Sequence, residues 1–137
     1  MIPNLMVTDM DRSVAFYRDV LGYAVEFAVD AERETRFDGT HAGAVFVTLT
    51  REGSSLMLQT RGAMIGDIPG ITGETAPQSS IALYLRDVDP RPILGRAPES
   101  AVLKGPERSW YGMLEVTVAD PDGYVITIGH ADGPPPA

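Results

Sequence analysis

The chain has 137 residues, 44% hydrophobic and 22% charged, with a net charge of -8, a pI near 4.6 and no cysteine. This describes one globular domain, or two small modules sharing a core, and excludes a disordered chain, disulfides, thiolate metal sites and a cysteine nucleophile. The acidic balance argues against nucleic acid, which needs a basic footprint, and favours neutral or cationic small molecules. No apolar run approaches the roughly 18 residues of a membrane span, and MIPNLMVTDM lacks the basic-then-apolar order of a secretory signal. A cytoplasmic protein without membrane contact is expected.

In chain order, Asn4 to Thr8 alternates and predicts a strand. Asp9 or Asp11 can cap a following helix by accepting from its free N–H groups. Val14, Tyr17 and Leu21 share one face of that helix, and Gly22 stops it. AVFVTLT and SLMLQT form a hairpin around REG. Residues 63–78, broken by proline and glycine, read as a connector. LYLRD then predicts another strand. The stretch DPRPILGRAPES carries three prolines, so a single turn or a loop is expected there. MLEVTV and YVITIGH form the last hairpin, joined by DPDG, a strong turn signal. Residues 131–137 are expected to be a disordered tail.

The chain also repeats itself. LMVTDMD, from Leu5 to Asp11, returns as LYLRDVD, from Leu83 to Asp89, an offset of 78. VTLTREGSSLMLQT and VTVADPDGYVITIGH align through Gly53 and Gly123, an offset of 70. Two matches in the same order mark two copies of one module, residues 1–62 and 79–130, each strand, helix, then a run of strands. The expected fold is α+β, with two tandem βαβββ modules forming a concave mixed sheet.

Strand side chains alternate between faces. One face carries only aliphatic residues, including Leu5, Val7, Val47, Leu58, Leu85, Val116 and Ile128, and must pack on the helices. The other carries Phe46, Thr48, Met57, Gln59, Tyr84, Met113, Glu115 and Thr127. This mixture of hydroxyls, an amide, a carboxylate and large apolar groups suits an amphipathic organic ligand. Trp110 and Tyr111 stand at the mouth of one of these strands, where they can stack on a planar ring. Glu115 can pair with a ligand cation or act as a base, and Gln59 can fix a ligand through its amide. His41, in a glycine-rich loop, and His130, after the last strand, are expected at the surface.

DMDRSVAFYRDVLGY and WYGMLEVTVADPDGYVITIGH resemble the vicinal oxygen chelate superfamily of glyoxalases, bleomycin-resistance proteins and extradiol dioxygenases. The resemblance spans about residues 1–130. In its metal-dependent members, four positions on the first and last strands of the modules hold histidine, glutamate or similar ligands. Here those positions are Ile2, Met57, Ser80 and Thr127, which are poor donors for a divalent metal. The resemblance therefore implies a metal-free binding protein of the bleomycin-resistance type, with no cofactor, most similar in PNLMVTDM and YGMLEV. It implies sequestration of an aromatic natural product or antibiotic, with a cationic guest suited to the acidic charge, in a groove completed by a homodimer. The competing expectation is a lyase, isomerase or dioxygenase-like enzyme. It would use Glu115 as base, or a shifted metal site around Gln59, Glu115 and His130.

Overall fold

The computed structural model describes residues 1–133, which fall into two compact units meeting at the Pro77–Gln78 junction.

The first unit opens with β1 (Asn4–Val7) and α1 (Met10–Ala15). Asp9 is the cap: extended at φ -134°, it accepts from Arg12 N–H at 3.0 Å. After Ala15 the helix widens into one π turn, Phe16–Val20, and closes where Gly22 N–H donates to Arg18 O at 3.2 Å. Val14, Tyr17 and Leu21 are all fully buried. Removing each such side chain from water contributes on the order of 1.5–3 kcal/mol.

The chain then forms β2 (Ala24–Asp30), β3 (Thr35–Arg36), β4 (Ala44–Arg51), β5 (Ser54–Thr60) and α2 (Arg61–Asp67). The sheet order is β1-β5-β4-β2-β3, parallel only between β1 and β5. The β4–β5 hairpin turns on Glu52 and Gly53, both left-handed at φ +44° and +84°. That pair of conformations matches the strand twist and makes glycine the natural second residue. Arg51 pins this turn to the helix end, donating from Nε to Leu21 O at 2.9 Å. The expected connector therefore begins inside a helix: residues 63–67 are the end of α2.

The second unit contains β6 (Ala82–Arg86), α3 (Pro90–Arg96), a single 3-10 turn (Glu99–Ala101), β7 (Val102–Arg108), β8 (Met113–Ala119) and β9 (Val125–Ala131). Its sheet order is β6-β9-β8-β7, parallel only between β6 and β9. The prolines do not reduce α3 to one turn, as the sequence reading expected. Pro90 occupies the first turn, where no N–H is required, and Asp89 caps it by accepting from Arg91 N–H at 3.0 Å. The DPDG turn is organised by Asp120, whose buried carboxylate accepts from the N–H groups of Asp122 and Tyr124, each at 2.9 Å. Of the expected tail, Ala131 belongs to β9 and Asp132 N–H donates to Gly112 O at 2.9 Å. Residues 134–137 lie outside the described residues.

The α+β architecture is thus present as two mixed sheets, one per unit. The two modules are not superposable residue for residue. In the first, Asn4 lies beside Met57 and Met6 beside Gln59. In the second, Tyr84, the counterpart of Met6, lies beside Thr127, the counterpart of Met57. The register differs by two residues, and the helix cap moves with it, from Asp9 to Asp89, the counterpart of Asp11. Two residues is one full pleat, so every side chain keeps its face.

Candidate functional site

In the first unit, pairing across β1, β5, β4 and β2 places Asn4, Met57, Thr48 and Phe27 in one row. Met6, Gln59, Phe46 and Val29 form the next. Phe46, Thr48, Met57 and Gln59 therefore share a face, as their alternation predicts. Two of them are buried. Thr48 is 5% exposed, and its hydroxyl has no partner among the described residues. Gln59 is 4% exposed, accepts from Asn4 Nδ2 at 2.9 Å and donates to Asp67 Oδ2 at 2.8 Å. Phe46 and Gln59 border a cavity of about 490 Å³ together with Val29, Asp30, Ala63 and Asp67. Phe27 stacks at a tilt between Phe46 and the exposed Phe37, with ring centroids 6.1 and 5.8 Å away. The sequence reading assigned neither Phe27 nor Phe37.

In the second unit, Tyr84, Glu115, Thr117 and Thr127 share a face of the sheet. Tyr84 Oη donates to Glu115 Oε2 at 2.5 Å. Tyr111 Oη lies between both oxygens of the same carboxylate, at 2.7 and 2.8 Å. The Tyr84 contact spans β9, and Gly129 is the residue beneath it. A Cβ there would strike Tyr84 Oη and lie 3.0 Å from Glu115 Cγ, so the bare glycine is what lets the hydroxyl reach the carboxylate in this position. Burial, then the hydrogen bond and charge of Glu115, push the Tyr84 phenol far above its ordinary range. The Tyr111 phenol is also raised, first by its hydrogen bond to Glu115.

Glu107 stands directly opposite Glu115 on β7, a like-charge pairing that is relieved by Lys104, whose Nζ lies 2.8 Å from Glu107 Oε1. These groups line a cavity of about 200 Å³ with Thr117 and Thr127, whose hydroxyls are hydrogen-bonded at 2.8 Å. A second cavity of about 500 Å³ shares Tyr84 and Tyr111 and adds Arg86, Asp87 and Met113. Trp110, 82% exposed, sits edge-on to Tyr111 with ring centroids 5.3 Å apart. Both belong to the tight turn joining β7 and β8, where Gly112 N–H donates to Ser109 O at 3.1 Å.

The histidines are less exposed than expected. His41 Nδ1 lies 3.1 Å from Asp11 Oδ1, close enough for an ion pair but not aligned as a hydrogen bond. His130, half-buried, points towards Asp89, with Nε2 3.9 Å from Oδ1. The Arg91 side chain, with its backbone N–H, holds the Asp89 carboxyl down to about 2. His130 pairs with Leu114 and so faces away from Glu115, which removes the shifted metal site.

Residues 3–128 match the family model of the Glyoxalase/Bleomycin resistance protein/Dioxygenase superfamily. The chain belongs to this superfamily. Among solved structures similar to it is the antibiotic binding protein TnmS3 from Streptomyces sp. CB03234, at 21% identity, covering 94% of this chain and 92% of that one, with a TM-score of 0.63. TioX from Micromonospora sp. ML1 is similar at 14% identity, 95% and 97% coverage and a TM-score of 0.71. So is a glyoxalase/bleomycin resistance protein/dioxygenase from Nocardioides, at 16% identity, 99% and 87% coverage and 0.65. At these identities the likeness is one of fold. No curated protein sequence matches the chain.

The glyoxalase superfamily implies a metal in some members, and the donors present do not fit one. Its four ligand positions carry Ile2, Met57, Ser80 and Thr127, which offer no imidazole, carboxylate or thiolate. Thr127 already shares its hydroxyl with Thr117. Among the described residues no three His, Cys, Asp or Glu side chains gather within reach of one ion.

Proposed function

We propose that this glyoxalase-superfamily chain is a metal-free small-molecule binding protein that holds an aromatic natural product or antibiotic. The observation that carries the reading is the Tyr84–Glu115–Tyr111 cluster. It is a carboxylate framed by two phenol rings on a cavity-lining sheet face, with an exposed tryptophan beside it. Aromatic walls with few, placed polar groups are the usual make-up of a site for an amphipathic organic ligand. The fold shared with TnmS3, an antibiotic binding protein, is consistent with this reading. The competing reading, Glu115 as a catalytic base, is less favoured because both phenols stabilise the charged carboxylate and so weaken it as a base.

The test is thermal melting of the purified protein against aromatic antibiotics, simple aromatic acids, and divalent metals with a chelator control. A ligand present at 100 times its dissociation constant adds about 2.7 kcal/mol. A shift with an antibiotic and none with metals supports the reading. A metal-induced shift reversed by the chelator overturns it. A homodimer in the cytoplasm belongs to the same proposal, and light scattering with and without ligand measures the assembly.

A further inference from the structure

We propose that Glu115 seats a compact monocationic group, such as a protonated amine, and that Tyr111 is a displaceable cap whose place on the carboxylate the ligand's cation takes. This rests on the small-molecule reading above and names the chemistry of its ligand.

The donors on Glu115 motivate it. Among the described residues both donors to the carboxylate are phenols, and each phenol has a single proton. Two neutral donors bring no positive charge of their own. The basic group lining the same cavity, Lys104, is engaged with Glu107. The cavity walls thus carry two carboxylates and one ammonium, a net deficit of one positive charge. Charge-assisted hydrogen bonds are about twice as strong as neutral ones, so a cation outcompetes a phenol for the same oxygens.

The two tyrosines are not equivalent. Tyr84 projects from the middle of β6, a strand paired along its length with β9, and is itself 45% exposed; its hydroxyl lies over Gly129. Tyr111 stands in the four-residue turn between β7 and β8, 43% exposed, and can swing away without disturbing a strand pair. When it does, Glu115 Oε1 is left free while Tyr84 still holds Oε2. The Tyr84 ring stays at the carboxylate, where an aromatic face can attract the incoming cation. The cavity of about 200 Å³ suits the charged head, and the neighbouring one of about 500 Å³, bordered by Met113, suits an aromatic body.

Trp110 is the sole tryptophan and reports on this turn directly. The experiment titrates the intact protein with benzylammonium chloride, benzyl alcohol and sodium benzoate, following Trp110 fluorescence. Benzylammonium is expected to bind and benzyl alcohol to bind roughly tenfold more weakly, the difference between a charged and a neutral hydrogen bond. Glu115→Gln should abolish that preference. Tyr111→Phe should tighten benzylammonium severalfold, because the competing hydroxyl is gone while the ring remains. Equal affinity for the alcohol and the ammonium, or no binding of either, overturns the seat. Weaker binding in Tyr111→Phe overturns the cap, whatever becomes of the folding of Glu115→Gln. An uncharged antibiotic that raises the melting temperature while benzylammonium has no effect removes the cation seat and leaves the small-molecule reading standing. If no compound in either set binds, both fall.

Discussion

Tyr84 on β6 and Glu115 on β8 are not on neighbouring strands, yet their hydroxyl and carboxylate meet at 2.5 Å because the residue of β9 between them is Gly129. Both tyrosines on Glu115 should therefore ionise late, for different reasons. Tyr84 is raised chiefly by burial and Tyr111 chiefly by Glu115. In Glu115→Gln, Tyr111 is expected to fall back towards the ordinary phenol value of about 10, while Tyr84 keeps part of its elevation. Phenolate absorbance in alkaline titrations, assigned with Tyr84→Phe and Tyr111→Phe, measures this. Equal shifts for the two would be inconsistent with it.

The linkage sign follows. A phenol raised in the folded state stabilises fully below about pH 10 and loses that contribution as pH rises through its folded value. Wild-type protein should melt higher than Tyr84→Phe by a constant margin at neutral pH. The margin should shrink only in strong alkali.

Gly129→Ala places a methyl group against Tyr84 Oη, the end of a half-exposed side chain. Because that ring can move towards solvent, the expected loss is about 1 kcal/mol, the low end for overpacking. Adding Tyr84→Phe removes the atom that is struck. The double variant should then be less destabilised than the sum of the singles by about 0.5 kcal/mol in urea unfolding. Additivity would place the strain elsewhere.

The change of cap residue between modules makes an asymmetric prediction. Asp9→Ala should destabilise by about 1 kcal/mol, and Asp89→Ala should lower the melting temperature as well. Asp11→Ala, at an exposed position that caps nothing, should stay within roughly 0.5 kcal/mol by chemical denaturation. The Asp89 carboxyl is held down to about 2 by Arg91, so its contribution is present above about pH 4 and lost as pH falls towards 2.

Gln59→Leu removes the amide that joins Asn4 to Asp67 and leaves the Asn4 amide without its acceptor. Since Gln59 is buried, about 1–3 kcal/mol should be lost. Its effect on binding at the Glu115 cluster should be negligible if that cluster alone carries recognition, and isothermal titration separates the two.

Period-two alternation made the sheet faces legible, and with them the grouping of Phe46, Thr48, Met57 and Gln59 and of Tyr84, Glu115 and Thr127. It could not tell that Thr48 and Gln59 are buried, because burial depends on neighbouring elements. β2 escaped notice because a register shift between Val25 and Phe27 breaks its alternation. β7 escaped because Gly105 and Pro106 interrupt it, and with it went Lys104 and Glu107. The α3 helix was hidden by prolines that fall where a helix tolerates them. Gly129 left the faintest signal of all: its role is the space above it, which no side chain announces.

The offset of one pleat between the modules has a consequence for how such a chain diversifies. After a duplication, sliding a strand by two positions leaves the oily side inward while bringing a different set of neighbours together. Gln59 ends up beside Met6, whereas its counterpart Gly129 ends up beside Arg86. Twin halves thereby carry unlike chemistry while each keeps an aliphatic face turned inward, and a hybrid carrying two copies of either half would inherit two identical floors and lose that difference.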